Sequence, residues 1–302
     1  MGFFARKAIK GFWKAVGKAD AIRMASQKPV QGVAGDLNIR YAEGDDPMHV
    51  LDVYYPEDTE GLLPVIFDIH GGGWMYGTKE TNKLFCMSLA SRGFAVVNIN
   101  YRLVPKVNLL DQVCDVFRAL HWLGEHGGEH HCDLDRAFLT GDSAGAHLAS
   151  LAASITANAT LANFYEVPEL PFEIIAVALN HIAPSFDGPM LGKKSIDREM
   201  KRMLFGKYHE SNPIYEKSTI YNTAEPDTYP PVLVITSQAD MLFYKHSIKL
   251  IEYLVNNKFR CQVAIPEPHP RYIHVYNVIY PESENSKKMN DRIAEFFLGT
   301  AE

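Results

Sequence analysis

Residues 137–157 read AFLTGDSAGAHLASLAASITA, and this stretch decides the fold. Its first three residues form a short apolar run typical of a buried strand, whereas the small residues from 144 onward predict a helix. Between the two, GDSAG at residues 141–145 places Ser143 on a tight strand-to-helix turn. Such a turn needs a glycine on either side of the serine, because the backbone is strained and the neighbouring elements approach closely. The stretch therefore predicts a serine displayed at the end of a sheet strand.

Short apolar runs alternate with helical patterns along the rest of the chain. The predicted strands are residues 37–40, 50–55, 65–69, 95–99, 137–139, 174–179, 232–236 and 262–265. The predicted helices are residues 81–92, 109–125, 144–157, 244–256 and 286–298. A hairpin opens the sheet, and the later alternation indicates crossover units. The fold class is therefore α/β, with a mostly parallel central sheet and helices on both faces.

Two segments stand apart from this alternation. Residues 3–16 carry apolar side chains at helical spacing, which predicts an amphipathic helix. Its polar face carries Arg6, Lys7, Lys10 and Lys14. Three interpretations stay open: a membrane-surface anchor, a lid over a site, and a stripe packed on its own domain, which is the commonest case. Residues 181–229 are too long for an ordinary connection and predict a cap insertion. We expect one domain over residues 1–302, with residues 1–35 as an N-terminal helical cap segment.

Composition excludes several classes of protein. The formal net charge of −6 argues against nucleic acid as the general partner. No stretch approaches the roughly 20 apolar residues that cross a bilayer. The cysteines lie far apart, without zinc-site spacing, and are expected to be reduced thiols in a cytoplasmic protein. They are Cys86, Cys114, Cys132 and Cys261.

A second motif, HGGGW at residues 70–74, directly follows the strand predicted at 65–69. Runs of glycine let backbone N–H groups point into a cavity, where they stabilise an oxyanion formed during acyl transfer. Alone, a glycine triplet is more often a flexible loop or a phosphate cradle. Together with the serine turn, it predicts an oxyanion hole made of Gly72, Gly73 and Ala144.

A serine hydroxyl needs a histidine base and a carboxylate that orients this histidine. Asp240, which follows the strand predicted at 232–236, is the candidate acid, and an ordinary helix N-cap is the alternative. Of the two histidines after the last strand, His274 is favoured by its loop position, and His269 lies between two prolines. A further group, His121, His126, His130 and His131, is better explained as a solvated turn than as a metal site.

These motifs resemble the hormone-sensitive lipase-like esterases, the bacterial carboxylesterase and acetyl esterase group. The resemblance also rests on NYRL at residues 100–103, on Asp115 and on HVY at residues 274–276, and it runs from about residue 51 to the C-terminus. It implies an α/β-hydrolase fold with Ser143, Asp240 and His274 as the triad. It also implies that the N-terminal helix and the insertion together cover the acyl pocket. The sequence departs from the family where Met241 and Leu242 follow the acid.

The function expected from the sequence is hydrolysis of small, short-acyl carboxylic esters without a metal or an organic cofactor. Asp142 is expected to be structural, while Trp74 and Tyr76 are candidates for substrate binding or for aromatic core packing. Two alternatives remain open. The same residues suit formamide, amide or peptide cleavage, and a hydrolase fold also occurs in proteins that bind a ligand without catalysis.

Overall fold

The computed structural model describes residues 2–186 and 194–301, and the strands within them form one eight-stranded sheet. The strands are β1 (Val33–Arg40), β2 (Val50–Pro56), β3 (Leu63–Ile69), β4 (Ala95–Ile99), β5 (Cys132–Asp142), β6 (Ile174–Asn180), β7 (Val232–Ile235) and β8 (Cys261–Ala264). Their order across the sheet is β1-β2-β4-β3-β5-β6-β7-β8. Strand β2 runs antiparallel to β1 and β4, and all later neighbours are parallel. The predicted α/β-hydrolase fold is confirmed.

Helices cover both faces of this sheet. In chain order they are α1 (Gly2–Ser26), α2 (Lys79–Ala90), α3 (Leu109–His126), α4 (Ala144–Thr156), α5 (Ala159–Tyr165), α6 (Lys194–Phe205), α7 (Pro213–Glu216), α8 (Ile220–Thr223), α9 (Tyr244–Asn256), α10 (Tyr276–Ile279) and α11 (Glu284–Thr300). None of the helices in the described ranges is long and apolar enough to span a bilayer.

The sheet divides the core into two apolar layers. Successive side chains of a strand point to opposite faces, so Val65 and Phe67 of β3 pack in one layer while Ile66 packs in the other. The first layer includes the inner faces of α3 and α4, and the second includes those of α2 and α11. Because both faces are covered, β4 is buried along its whole length, as expected for a strand in the middle of such a sheet.

The helices deviate from the sequence prediction in two respects, the length of the N-terminal helix and the number of helices. The N-terminal helix was expected over residues 3–16 but continues to Ser26. Beyond Val16 it keeps polar residues on its inner side, where they bind partners that are distant in sequence. Helices α5, α6, α7, α8 and α10 were not predicted. The expected cap at residues 181–229 contains α6, α7 and α8, and its residues 187–193 lie outside the described residues.

The topology sets where a site can form. The carboxyl ends of the parallel strands β3, β5 and β7 meet at one edge of the sheet, which is where α/β proteins bind ligands. The loops that leave these three strands carry Gly72, Ser143 and Asp240. Helix α1 packs against α6 and contributes side chains above this edge.

Candidate active site

Ser143 occupies the sharp turn between β5 and α4. Its backbone has φ 53° and ψ −113°, a conformation that a residue with a side chain rarely adopts. Its N–H donates to the carbonyl oxygen of Asn180 at 2.9 Å, which anchors the turn to the neighbouring strand. The motif glycines leave no room for substitution: a Cβ on Gly145 would lie 1.9 Å from the carbonyl oxygen of Ile69. The turn is thus held in a strained form that displays the hydroxyl.

Asp240 and His274 form a hydrogen-bonded pair beside this turn. Oδ2 of Asp240 lies 2.9 Å from Nδ1 of His274. Oδ1 of the same carboxylate accepts from the backbone N–H groups of Leu242 and Phe243, at 2.9 and 3.0 Å. A carboxylate only accepts, so Nδ1 of His274 carries the proton and Nε2 is free to accept one. This is the arrangement that a histidine base requires.

The charge on Asp240 is favoured despite its burial. Removal from water opposes ionisation, but the hydrogen bond and charge of His274 outweigh it and lower the pKa of the carboxyl below its usual value. The carboxylate is therefore ionised at neutral pH. It can stabilise an imidazolium at His274 during proton transfer.

The loop after β3 presents glycine amides to the same space. Gly72 and Gly73 have φ of 119° and 57°, and a Cβ on Gly72 would lie 1.9 Å from the carbonyl oxygen of Tyr76. Within the described chain, neither amide donates to a protein acceptor. The N–H of Ala144 begins helix α4 and has no partner inside that helix, where the dipole favours negative charge. All three donors predicted from the sequence thus flank the serine turn.

A buried carboxylate network holds the glycine loop. Oδ1 of Asp142 accepts from the N–H of Gly71 and from Nδ2 of Asn82, both at 2.8 Å. The same Asn82 nitrogen donates to Asp68 at 2.9 Å. Burial, together with the nearby charge of Asp142, raises the pKa of Asp68 to about 8. Burial also raises the pKa of Asp142. These contacts tie Asp142 to the loop at Gly71, and its structural role stays a prediction.

A cavity of about 280 Å³ joins these groups. Ser143, His274, Gly72 and Gly73 line it, and most of its remaining wall is apolar. Helix α1 supplies Phe12, Trp13, Val16, Asp20 and Arg23 to this wall, and α6 supplies Met200. The N-terminal helix therefore forms part of the cavity wall, and its role as part of a cap stays a prediction.

The two aromatic candidates for substrate binding both line the cavity, but in different ways. Trp74 is only 2% exposed, and its Nε1 donates to Nδ1 of His147 at 3.3 Å, so it packs mainly in the core. Tyr76 stacks on Trp13, with ring centroids 5.2 Å apart, and its hydroxyl donates to Asp20 at 2.9 Å. Tyr76 thus fixes α1 against the glycine loop.

Sequence reasoning missed a second histidine at the site. His181 follows β6, is fully buried, and lies edge-on to His274 with centroids 5.8 Å apart. Its Nε2 lies 3.3 Å from Oγ of Ser237, whose hydroxyl donates to the carbonyl oxygen of Tyr272. Burial, followed by the charge of His274, lowers the pKa of His181 to about 3, so this ring stays neutral. These hydrogen bonds thereby connect the end of β6 to the loop that carries His274. No sequence motif marks His181.

The alternative histidines lie apart from this arrangement. Nδ1 of His269 accepts from the N–H of Arg271 at 3.2 Å, as in a local turn. His130 pairs with Asp36 at 2.7 Å, and His126 lies 3.2 Å from Glu129. None of these side chains lines the cavity that contains Ser143.

The fold and the arrangement of these groups define the class of the protein, an α/β-hydrolase. Residues 51–254 match the family model described as BD-FAE. The match covers more than half of the chain, and the chain therefore belongs to the BD-FAE family. The resemblance to the hormone-sensitive lipase-like carboxylesterases is confirmed by the same match and by the named relatives.

Several known proteins are similar to this chain. Esterase B from Lactobacillus rhamnosis, in a crystal structure with a C4-C4 SN3 tributyrin phosphonate, is 30% identical, with a TM-score of 0.92 over 98% of this chain and 95% of that one. From Mycobacterium tuberculosis, the probable carboxylic ester hydrolase LipM is 38% identical over 50% of this chain and 35% of its own length. Carboxylesterase NlhH from the same species is 28% identical over 63% of this chain and 60% of its own. The chain therefore spans less than two thirds of both curated relatives.

Proposed function

We propose that the protein hydrolyses small carboxylic esters through an acyl-enzyme on Ser143. One observation carries the proposal: a serine in a strained turn, the His274–Asp240 pair and the glycine amides line one apolar cavity. The names of the relatives, which are esterases and carboxylesterases, support the same reaction.

In the first half-reaction, Oγ of Ser143 attacks the ester carbonyl carbon while Nε2 of His274 takes the hydroxyl proton. The tetrahedral intermediate collapses, the bond to the alcohol oxygen breaks, and His274 returns the proton to the leaving alcohol. A water molecule, deprotonated by the same Nε2, then attacks the carbonyl carbon of the acyl-enzyme. The bond to Oγ of Ser143 breaks, His274 returns the proton to this oxygen, and the carboxylic acid is released. Asp240 stabilises the imidazolium at both stages.

The charge that develops on the carbonyl oxygen needs donors already in place. The N–H groups of Gly72, Gly73 and Ala144 supply them, and each donor of this kind contributes on the order of 3 kcal/mol to the transition state. The buried network at Asp142 holds the loop by its Gly71 amide, so little reorganisation is needed when the charge forms.

The substrate proposed is a short-acyl ester. The cavity, at about 280 Å³, is at the small end of the range for ligand sites, and its wall is mainly apolar. The relative crystallised with a tributyrin phosphonate supports butyryl esters as the first substrates to test.

The test measures phenolate release from p-nitrophenyl esters, from acetate to palmitate, with tributyrin, formanilides and aminoacyl amides alongside. Wild type is expected to favour the short esters. The variants Ser143→Ala and His274→Ala should each lose several orders of magnitude in kcat, because triad members act as a unit. His269→Ala is the matched control and should keep its activity.

Three outcomes would contradict the proposal. Amide turnover that exceeds ester turnover would identify an amidase, and inertness towards every ester would favour a binding protein. Loss of activity in His269→Ala, with His274→Ala still active, would assign the base to His269.

A further inference from the structure

The outer face of helix α1 carries an apolar stripe that faces solvent. Phe4, Ala8, Ala15 and Ile22 are separated by four, seven and seven residues, so they share one face of the helix. All four are exposed; Phe4 is 77% and Ile22 74% exposed. Ala5 and Ile9 lie on another face of the helix, and that face is buried against the protein. Packing on the domain therefore explains one stripe of this helix and leaves the other unexplained.

Lysines flank this outer stripe. Lys7, Lys14 and Lys18 follow the same spacing on the adjacent strip of the helix, and all are exposed. The first acidic residue of the helix is Asp20, and it faces inward, accepting from the hydroxyl of Tyr76. A cationic strip therefore borders exposed apolar residues, on a chain whose formal net charge is −6.

The helix is fixed in place before any partner arrives. Arg23 donates to Asp20 and to the carbonyl oxygen of Ile279, at 3.2 and 3.0 Å, and Arg6 pairs with Glu199 of α6. The outer stripe is thus presented on a preformed helix, so binding does not have to supply the free energy of ordering it.

The same helix borders the opening of the cavity. Phe12 and Leu242 line the cavity and are still 46% and 44% exposed, so both reach from the cavity wall to the surface. Met241, beside Leu242, is 97% exposed. A surface that holds the outer stripe of α1 would therefore lie close to the entrance for substrate.

We propose that the outer face of α1 docks on a lipid–water interface that contains anionic phospholipid. Apolar side chains flanked by lysines match such an interface, in which the side chains enter the acyl boundary while the lysines attract acidic headgroups. A second copy of the chain fits less well, because lysine is depleted from protein–protein interfaces.

The experiment is sedimentation of the 302-residue chain with phosphatidylcholine vesicles, with and without phosphatidylglycerol, at low and at high salt. The expected result is binding to the anionic vesicles that salt weakens, with much weaker binding to phosphatidylcholine alone. The binding readout needs no turnover, so its failure and a failure of the proposed esterase activity are distinguishable.

Two sets of variants separate the contributions. The first set removes two apolar side chains from the stripe, with Phe4→Ser and Ile22→Ser. The second set reverses the charge of the cationic strip, with Lys7→Glu, Lys14→Glu and Lys18→Glu. Each set should weaken binding to the anionic vesicles about tenfold or more. The matched control reverses three exposed lysines outside α1 and should retain binding; these are Lys258, Lys287 and Lys288.

Activity on a soluble short ester should stay unchanged in all these variants, since none of the substituted residues lines the cavity. Absence of binding to anionic vesicles, equal binding to both vesicle types, or an equal loss in the control set would overturn the proposal. A dimer in solution that Phe4→Ser with Ile22→Ser dissociates would also overturn it, because the stripe would then bind a second copy.

Discussion

Replacing Asp240 with asparagine changes one atom at the site and leaves most of its contacts available. Oδ1 of the carboxylate accepts two backbone N–H groups, from Leu242 and Phe243, and an asparagine oxygen keeps both bonds. The amide nitrogen then points at Nδ1 of His274, where Oδ2 lies at 2.9 Å in the wild type. Because this nitrogen only donates, it favours the tautomer of His274 with its proton on Nε2.

That tautomer cannot take the proton from Ser143, and the stabilising charge is lost as well. Asp240→Asn should therefore lower kcat about 10⁴-fold, which corresponds to about 5.5 kcal/mol at about 1.4 kcal/mol for each factor of ten. KM should change little. The free energy of unfolding should stay close to that of the wild type, because both backbone hydrogen bonds survive.

The assay follows p-nitrophenyl butyrate hydrolysis together with urea unfolding. Asp291→Asn, at a carboxylate that is 54% exposed, is the matched control and should leave kcat unchanged. A loss in Asp240→Asn of less than tenfold would refute the reasoning, because Asp240 would then not set the tautomer of His274.

Four further substitutions test other parts of the structure. Gly145→Ala should destabilise the fold by about 3 kcal/mol or more in urea unfolding, since its Cβ would lie 1.9 Å from a backbone oxygen. Gly299→Ala, in an open helical position of α11, should instead gain up to about 1 kcal/mol. Asp68→Asn should flatten the pH dependence of stability. With a pKa of about 8, Asp68 keeps its proton in the folded protein at a pH where the unfolded chain has lost it. The free energy of unfolding of the wild type therefore falls as the pH rises from the ordinary pKa of an aspartate to about 8. The fall is up to about 1.4 kcal/mol per pH unit. Asparagine tolerates the φ of 48° at residue 181. His181→Asn should lower kcat about tenfold with KM nearly constant, because it breaks the hydrogen bonds that position the loop at Tyr272.

Each of these predictions has an outcome that would contradict it. Equal stability of the two alanine variants would mean that the serine turn is not tightly packed. An unchanged pH slope in Asp68→Asn would show that its carboxyl is not protonated in the folded protein. A rise in KM without a fall in kcat for His181→Asn would mean that the residue shapes the cavity and does not position the base.

The sheet was predictable because each central strand is a short apolar run between helical patterns, and burial on both faces makes such runs distinct. The eight predicted strands all occur, with ends that differ by a few residues. Strand β5 shows the limit: its core was predicted at residues 137–139, but it begins at Cys132, where polar residues alternate near the edge and carry no apolar signal.

Helix α1 shows why its length was underestimated. After Val16 its inner side carries Asp20 and Arg23, and Gln27 follows its end; in sequence these residues indicate a solvated face. In the fold they bind Tyr76 and the backbone of Ile279, residues that are distant in sequence. A hydrophobic periodicity cannot detect polar residues that are buried by partners elsewhere.

The site residues that belong to local sequence motifs were predictable. The glycines that flank Ser143 and the triplet before Trp74 are needed for close backbone approach, and such a need is visible in sequence. The preference for His274 over His269 rested on loop position alone, and the 2.9 Å contact with Asp240 now supports it. His181 was missed because it reaches the site through the order of strands in the sheet, which brings β6 beside β7.

The central claim, that Ser143 is an activated nucleophile, is tested most directly by a fluorophosphonate probe followed by peptide mass spectrometry. The account predicts a single adduct on Ser143 that is absent in Ser143→Ala and forms far more slowly in His274→Ala. An unlabelled wild-type protein, or an adduct on another serine, would contradict it.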